Sequence, residues 1–144
     1  MVEHSAGAVI FRMEKERPLY LLLHYEAGHW DFAKGHIEKG EKTEDTIRRE
    51  TEEESGIKDL RFVPEFKEPI RYWMRPRKTK HGASPPKATP KQKGVLKFVV
   101  FYLAETSTSN VTLSLEHKGY VWLPYEDAVK KATYSNAKDI LKKA

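Results

Sequence analysis

No cysteine occurs among the 144 residues, which removes disulfide staples, thiolate nucleophiles and zinc–thiolate sites together. Long apolar runs are missing too, and nothing approaches the roughly 20 residues that a membrane-spanning helix requires. The opening MVEHSAGAVIF places an acid early and has no basic segment, so no secretory leader is expected. These absences point to a cytoplasmic protein with no membrane partner and no obligate protein partner. The histidines His4, His24, His29, His81 and His117 show no paired ligand spacing, so none is assigned to a metal. Acids are absent from one stretch, RPRKTKHGASPPKATPKQKG (residues 75–94), which holds seven Lys or Arg and four prolines. That stretch accounts for the net charge of +5, because the remainder carries 19 basic and 21 acidic residues, a balance of −2. It also lacks Val, Ile, Leu and aromatics, and it reads as an exposed, mobile basic insertion.

What is present fits one domain over residues 1–144 with 39% apolar and 33% charged residues. SAGAVIF and PLYLLLHY read as strands across the charged turn MEKER. LRFVPEF and EPIRYW read as strand-like pieces interrupted by proline, VLKFVVFYLAE as a Val- and Phe-rich strand, and TLSL and KGYVWL as two short ones. A helix is expected from Thr43, as its cap, to Ser55, with Gly56 as its stop. Pro124 opens another through about Ala132, and Ser135 caps a last one. Strands interrupted by helices, without a repeat, imply an α+β fold around a central sheet.

The helix from Thr43 carries the chemical signal. Glu50, Glu53 and Glu54 fall on one face, and Glu50 and Glu54 repel each other at i,i+4. Acids in the last turn oppose the helix dipole at about 0.3–1 kcal/mol per exposed charge, and the apolar stripe is little more than Ile47 and Thr51. A solvated charged face accounts for the acid count alone. A divalent cation, Mg²⁺ or Mn²⁺, accounts for oxygen ligands converging from one face.

Spacing separates the two readings. Gly35, five residues, Glu41, seven residues and then Arg49-Glu50-Thr51-Glu52-Glu53-Glu54-Ser55-Gly56-Ile57 resembles the Nudix box, G-x5-E-x7-R-E-U-x-E-E-x-G-U with U a bulky aliphatic. All seven fixed letters match, a coincidence on the order of 10⁻⁸ per starting position at average residue usage. Thr51 is the one departure, a β-branched residue close to Val in shape.

The resemblance implies an α/β/α sandwich around a mixed sheet, with the box as a loop–helix–loop, and Mg²⁺- or Mn²⁺-dependent cleavage of a nucleoside diphosphate linked to another group. It implies Glu50, Glu53 and Glu54 as metal ligands, Arg49 as their orienting partner, and Gly35 and Gly56 as the residues that permit the flanking turns. Glu50 and Glu116 become the candidate general bases, Glu116 also as a further ligand. WDFAKGHIEKGE and LEHKGYVWL are similar to segments of the asymmetric diadenosine tetraphosphate hydrolases within that family. From that similarity come further expectations: Lys34 and His36 contact polyphosphate, Glu41 supports the site, Tyr72 and Tyr134 clamp adenine, and Lys93 and Lys97 reach phosphates. Removal of pyrophosphate from RNA 5′ ends through the basic loop, hydrolysis of nucleoside triphosphates, and a non-catalytic nucleotide-binding module are the alternatives.

Overall fold

A computed structural model describes residues 2–74 and 94–144. Residues 75–93, which include Lys93 and nearly all of the basic stretch, lie outside the described residues. The chain runs through β1 (Val2–Glu14), β2 (Arg17–Tyr25), β3 (Trp30–Asp31), β4 (Ala33–His36), α1 (Thr43–Ser55), β5 (Arg61–Met74), β6 (Val95–Glu105), β7 (His117–Leu123), α2 (Tyr125–Lys131) and α3 (Ser135–Lys143).

Among the described residues the strands form one mixed sheet in the order β3-β2-β1-β6-β5, with β4 also on β1 and β7 on β2. β1 runs parallel to β6 and antiparallel to β2 and β4. Strand alternation then sorts side chains onto two faces. Ala6, Ala8, Ile10, Leu21 and Leu23 pack with Ile47 of α1 on one side. Val9, Tyr20, Leu22, Val99 and Phe101 pack with Ala128 of α2 and Ile140 and Leu141 of α3 on the other. The result is the α/β/α sandwich with a central mixed sheet, and among the described residues α1, which carries the box carboxylates, is the one helix on its face.

Local chemistry explains where elements differ from expectation. MEKER turns through Lys15 and Glu16 at φ 50° and 67°, a two-residue hairpin built without glycine. The pieces around Pro64 are one strand and not two. Its pairing with β6 shifts between Phe62 and Lys67 and Glu65 sits at φ 70°, so a bulge on an edge strand absorbs the proline. Thr43 is not the cap of α1: the Lys42 carbonyl already accepts Thr46 N–H, and Asp45 accepts the Lys42 N–H at 3.2 Å. Ser135 is likewise the first helical residue, because the Tyr134 carbonyl accepts Lys138 N–H. TLSL is not a strand. Its amides are spent on the end of α1, Thr112 N–H donating to Ser55 O at 2.9 Å and Ser114 N–H to Glu54 O at 3.4 Å. Thr51 is fully buried, as a Val-shaped residue would be.

Candidate active site

Arg49 organises the exposed side of the box. Its Nε and Nη2 donate to the two oxygens of Glu41 at 2.9 and 3.0 Å, a bidentate pair. Nη1 donates to Glu50 Oε1 at 2.7 Å and reaches Glu53 Oε2 at 3.5 Å, and Nη2 also donates to the His36 carbonyl. Glu41 further accepts the Glu38 N–H and the Thr46 hydroxyl, so Arg49 and these donors hold its carboxyl down to about 2. Glu41 is thus a fixed anion that positions Arg49, and Arg49 positions Glu50.

Glu50 lies against the backbone of β4. A Cβ built on Gly35 would fall 2.0 Å from Glu50 Cδ, so Gly35 is required for space beside the carboxylate, not for a turn. Gly56 does serve as the turn, at φ 76° in the left-handed region. Burial pushes the Glu50 carboxyl up, Arg49 opposes this, and the nearby charges of Glu53 and Glu116 add to the rise.

Glu54 is enclosed. Its Oε2 accepts the Lys34 N–H at 3.1 Å. The Tyr25 hydroxyl, which donates to the Phe32 carbonyl at 2.7 Å, stands 3.2 Å from Oε1, and His117 Nε2 stands 3.4 Å from the same oxygen. Burial raises the Glu54 carboxyl and also the Tyr25 phenol, which stays neutral across the working pH range. Glu53, by contrast, is largely exposed.

Next to Glu54, and sharing Tyr25 and Lys34 with its surroundings, lies a cleft of about 710 Å³ whose lining also includes Tyr72, Lys97, Glu116 and Tyr134 but none of Glu50, Glu53 and Glu54. Strand register places Tyr72 opposite Lys97. Lys34 Nζ is 3.1 Å from Asp31 Oδ2; burial lowers the ammonium, but Asp31 and Tyr72 outweigh it and leave it raised. Lys97 pairs with Glu3 at 3.4 Å. Trp30 and Thr133 exchange two hydrogen bonds, and the adjoining Tyr134 ring lies 5.4 Å from His29.

Of the expected residues, Lys34, Tyr72, Lys97, Glu116 and Tyr134 therefore meet in one cleft, while Arg49 gathers Glu41, Glu50 and Glu53 beside it. His36 does not line that cleft: its side chain is exposed, and its carbonyl serves Arg49. Among the described residues no three His, Asp or Glu side chains already enclose a cation site, since Arg49 draws Glu50 and the Tyr25–His117 side draws Glu54. The donor set itself, four carboxylates whose charges oppose one another, fits a hard divalent cation. Sequence reasoning missed Tyr25, His29, Asp31 and His117. For the first three, the density of aromatic and imidazole residues in HYEAGHWD was the available signal, and only the folded cleft shows that Tyr25, His29 and Asp31 line it.

Comparison with known proteins places these features. The NUDIX domain family model matches residues 1–144. The mouse bis(5′-nucleosyl)-tetraphosphatase (asymmetrical) is 31% identical over 153 residues, covering 98% of this chain and 92% of the mouse protein. The Caenorhabditis elegans enzyme of the same name is 32% identical over 148 residues, covering 99% and 94%. A crystal structure described as a C. elegans Ap4A hydrolase binary complex superposes with a TM-score of 0.77 at 30% identity, covering 98% of this chain and 93% of that one.

Proposed function

The chain belongs to the NUDIX domain family, and from that premise we propose that it is a divalent-cation-dependent hydrolase of dinucleoside polyphosphates. The substrate we propose is diadenosine tetraphosphate, cleaved with water to ATP and AMP. The observation that carries this reading is one cleft lined by aromatic faces, Tyr72 and Tyr134, by cationic groups, Lys34 and Lys97, and by Glu116, joined to Glu54 of the box through Tyr25 and Lys34. Bases are held by aromatic faces and phosphates by ammonium groups, and such a substrate presents both. The likeness to the mouse and nematode proteins, named for this reaction, supports the same choice.

In this mechanism Glu50, Glu53 and Glu54 would hold Mg²⁺ or Mn²⁺. Bound there, the cation supplies charge neutralisation at phosphate oxygens and a more acidic water. The chain's own residues do the rest. Lys34 and Lys97 bind and orient the polyphosphate, exchanging their carboxylate partners Asp31 and Glu3 for phosphate oxygens. Tyr72 and Tyr134 fix the nucleoside end, which sets which bridge faces the acids. Arg49, itself anchored by Glu41, keeps Glu50 ionised and aimed. Water forms the new P–O bond as the bridging P–O bond between the first and second phosphates breaks. The water's proton passes to Glu116, an exposed carboxylate on the cleft wall without an ion pair among the described residues.

Incubation with diadenosine tetraphosphate and Mg²⁺, followed by ion-exchange chromatography, tests this. ATP and AMP in equal amounts are expected. Two ADP, or no product while triphosphorylated RNA or a nucleoside triphosphate is hydrolysed, overturns the substrate assignment.

A further inference from the structure

His117 is a buried histidine without a structural account. Its side chain is wholly enclosed. Nδ1 lies 2.9 Å from Ser114 Oγ, and a serine hydroxyl donating to Nδ1 leaves the hydrogen on Nε2. Nε2 is 3.4 Å from Glu54 Oε1, too poorly aligned for a full hydrogen bond, and no better partner serves it among the described residues. Buried polar atoms are rarely left so, because each costs the free energy of its lost hydration. The ring cannot turn elsewhere: Tyr25 packs edge-on against it at 4.3 Å, and strand register sets His117 directly opposite Tyr25. The preceding segment is tied to the end of α1 through Ser114 N–H and Glu54 O.

We propose that His117 is a positioning residue for Glu54, its Nε2–H directing Oε1 so that the carboxylate is aimed at a divalent cation. It also links that carboxylate to the segment carrying Glu116, its chain neighbour. This inference rests on the reading of Glu54 as a ligand. It assigns no contact between His117 and substrate or metal.

The test is direct titration of the intact protein with Mn²⁺, followed by electron paramagnetic resonance, so that turnover is not the readout. Four variants are compared after a thermal melt confirms that each is folded. H117Q places an amide nitrogen near the Nε2 position, H117N retains only a partner for Ser114, H117F retains ring volume alone, and E54Q removes the carboxylate. H117N and H117F are expected to weaken Mn²⁺ binding about 10–100-fold, as loss of a group that orients a ligand does, while H117Q stays within about threefold. Equal losses in H117N, H117F and H117Q reveal packing alone and overturn the assignment. Unchanged affinity in all three, with E54Q weakened, overturns it while leaving Glu54 a ligand. Unchanged affinity in E54Q removes the underlying reading and the inference with it. Should H117F not fold, the contrast between H117N and H117Q decides.

Discussion

Gly35→Ala isolates the placement of Glu50 from the stability of the fold. The added Cβ would stand 2.0 Å from Glu50 Cδ and 2.3 and 2.4 Å from its two oxygens. Ordinary carbon contacts begin near 3.5 Å, so the carboxylate must retreat by about 1.5 Å. Gly35 has no left-handed φ and pairs within the sheet opposite Ala6, so alanine brings no backbone strain. What is lost is the 2.7 Å bond from Arg49 to Glu50, worth about 1 kcal/mol in this half-exposed setting. Activity responds far more, since a displacement of about 1 Å at a reacting centre costs roughly 10²-fold. Thermal melting and kcat/KM on diadenosine tetraphosphate, read by chromatography, separate the two effects. Melting should fall by only a few degrees while kcat/KM falls about 100-fold, and Gly35→Ala should add little once Glu50 is already Gln. A Gly35→Ala protein within about threefold of full activity would refute the claim that Glu50 must sit against that strand.

Three further outcomes are expected. Thr51→Val should stabilise the protein by about 1 kcal/mol, because the buried Thr51 hydroxyl has no partner among the described residues; urea unfolding measures it, and a loss of stability contradicts the packing argument. Asp59 loses some ionisation to burial, but the Thr106 and Thr108 hydroxyls and the Ser107 N–H outweigh that and hold its carboxyl down to about 2. A lowered folded-state pKa gives stability that is present above about 4 and lost as pH falls toward 2, so the deficit of Asp59→Ala, about 1–2 kcal/mol at pH 7, should shrink across that window in urea titrations. Chelation with EDTA should abolish turnover, with recovery on adding Mg²⁺ or Mn²⁺; undiminished turnover in EDTA rejects the metal-dependent mechanism.

The fold was legible where local chemistry and tertiary context agree. VLKFVVFYLAE forms its strand over Val95–Glu105 because β-branched and aromatic residues fill both faces of a central strand. The box spacing located α1 and its stop at Gly56. Agreement failed where a segment's backbone is claimed by a distant element. Nothing in TLSL announces that its amides serve the end of a helix more than fifty residues earlier. For the same reason the reach of Arg49 to Glu41 was visible only as spacing, and Tyr25 and His117 were not visible as neighbours of Glu54 at all. Long-range polar contacts leave no period in a sequence.

Those same contacts answer why α1 tolerates an acidic end with no basic residue in its last turn. Each carboxylate is handled differently: Glu50 by Arg49, Glu54 by the Lys34 amide and the Tyr25–His117 side, and Glu52 and Glu53 by exposure. The helix terminus is closed by other groups. Gly56 N–H donates to Glu52 O, and Thr112 and Ser114 N–H donate to Ser55 O and Glu54 O. These bonds satisfy carbonyls that a lysine or arginine in the last turn would otherwise serve. The segment that supplies them runs straight into Glu116 and His117. One stretch of chain therefore closes the helix and carries Glu116, the proton acceptor proposed above. That economy ties stability to the proposed chemistry, because a change that loosens residues 112–114 from α1 displaces Glu116 as well.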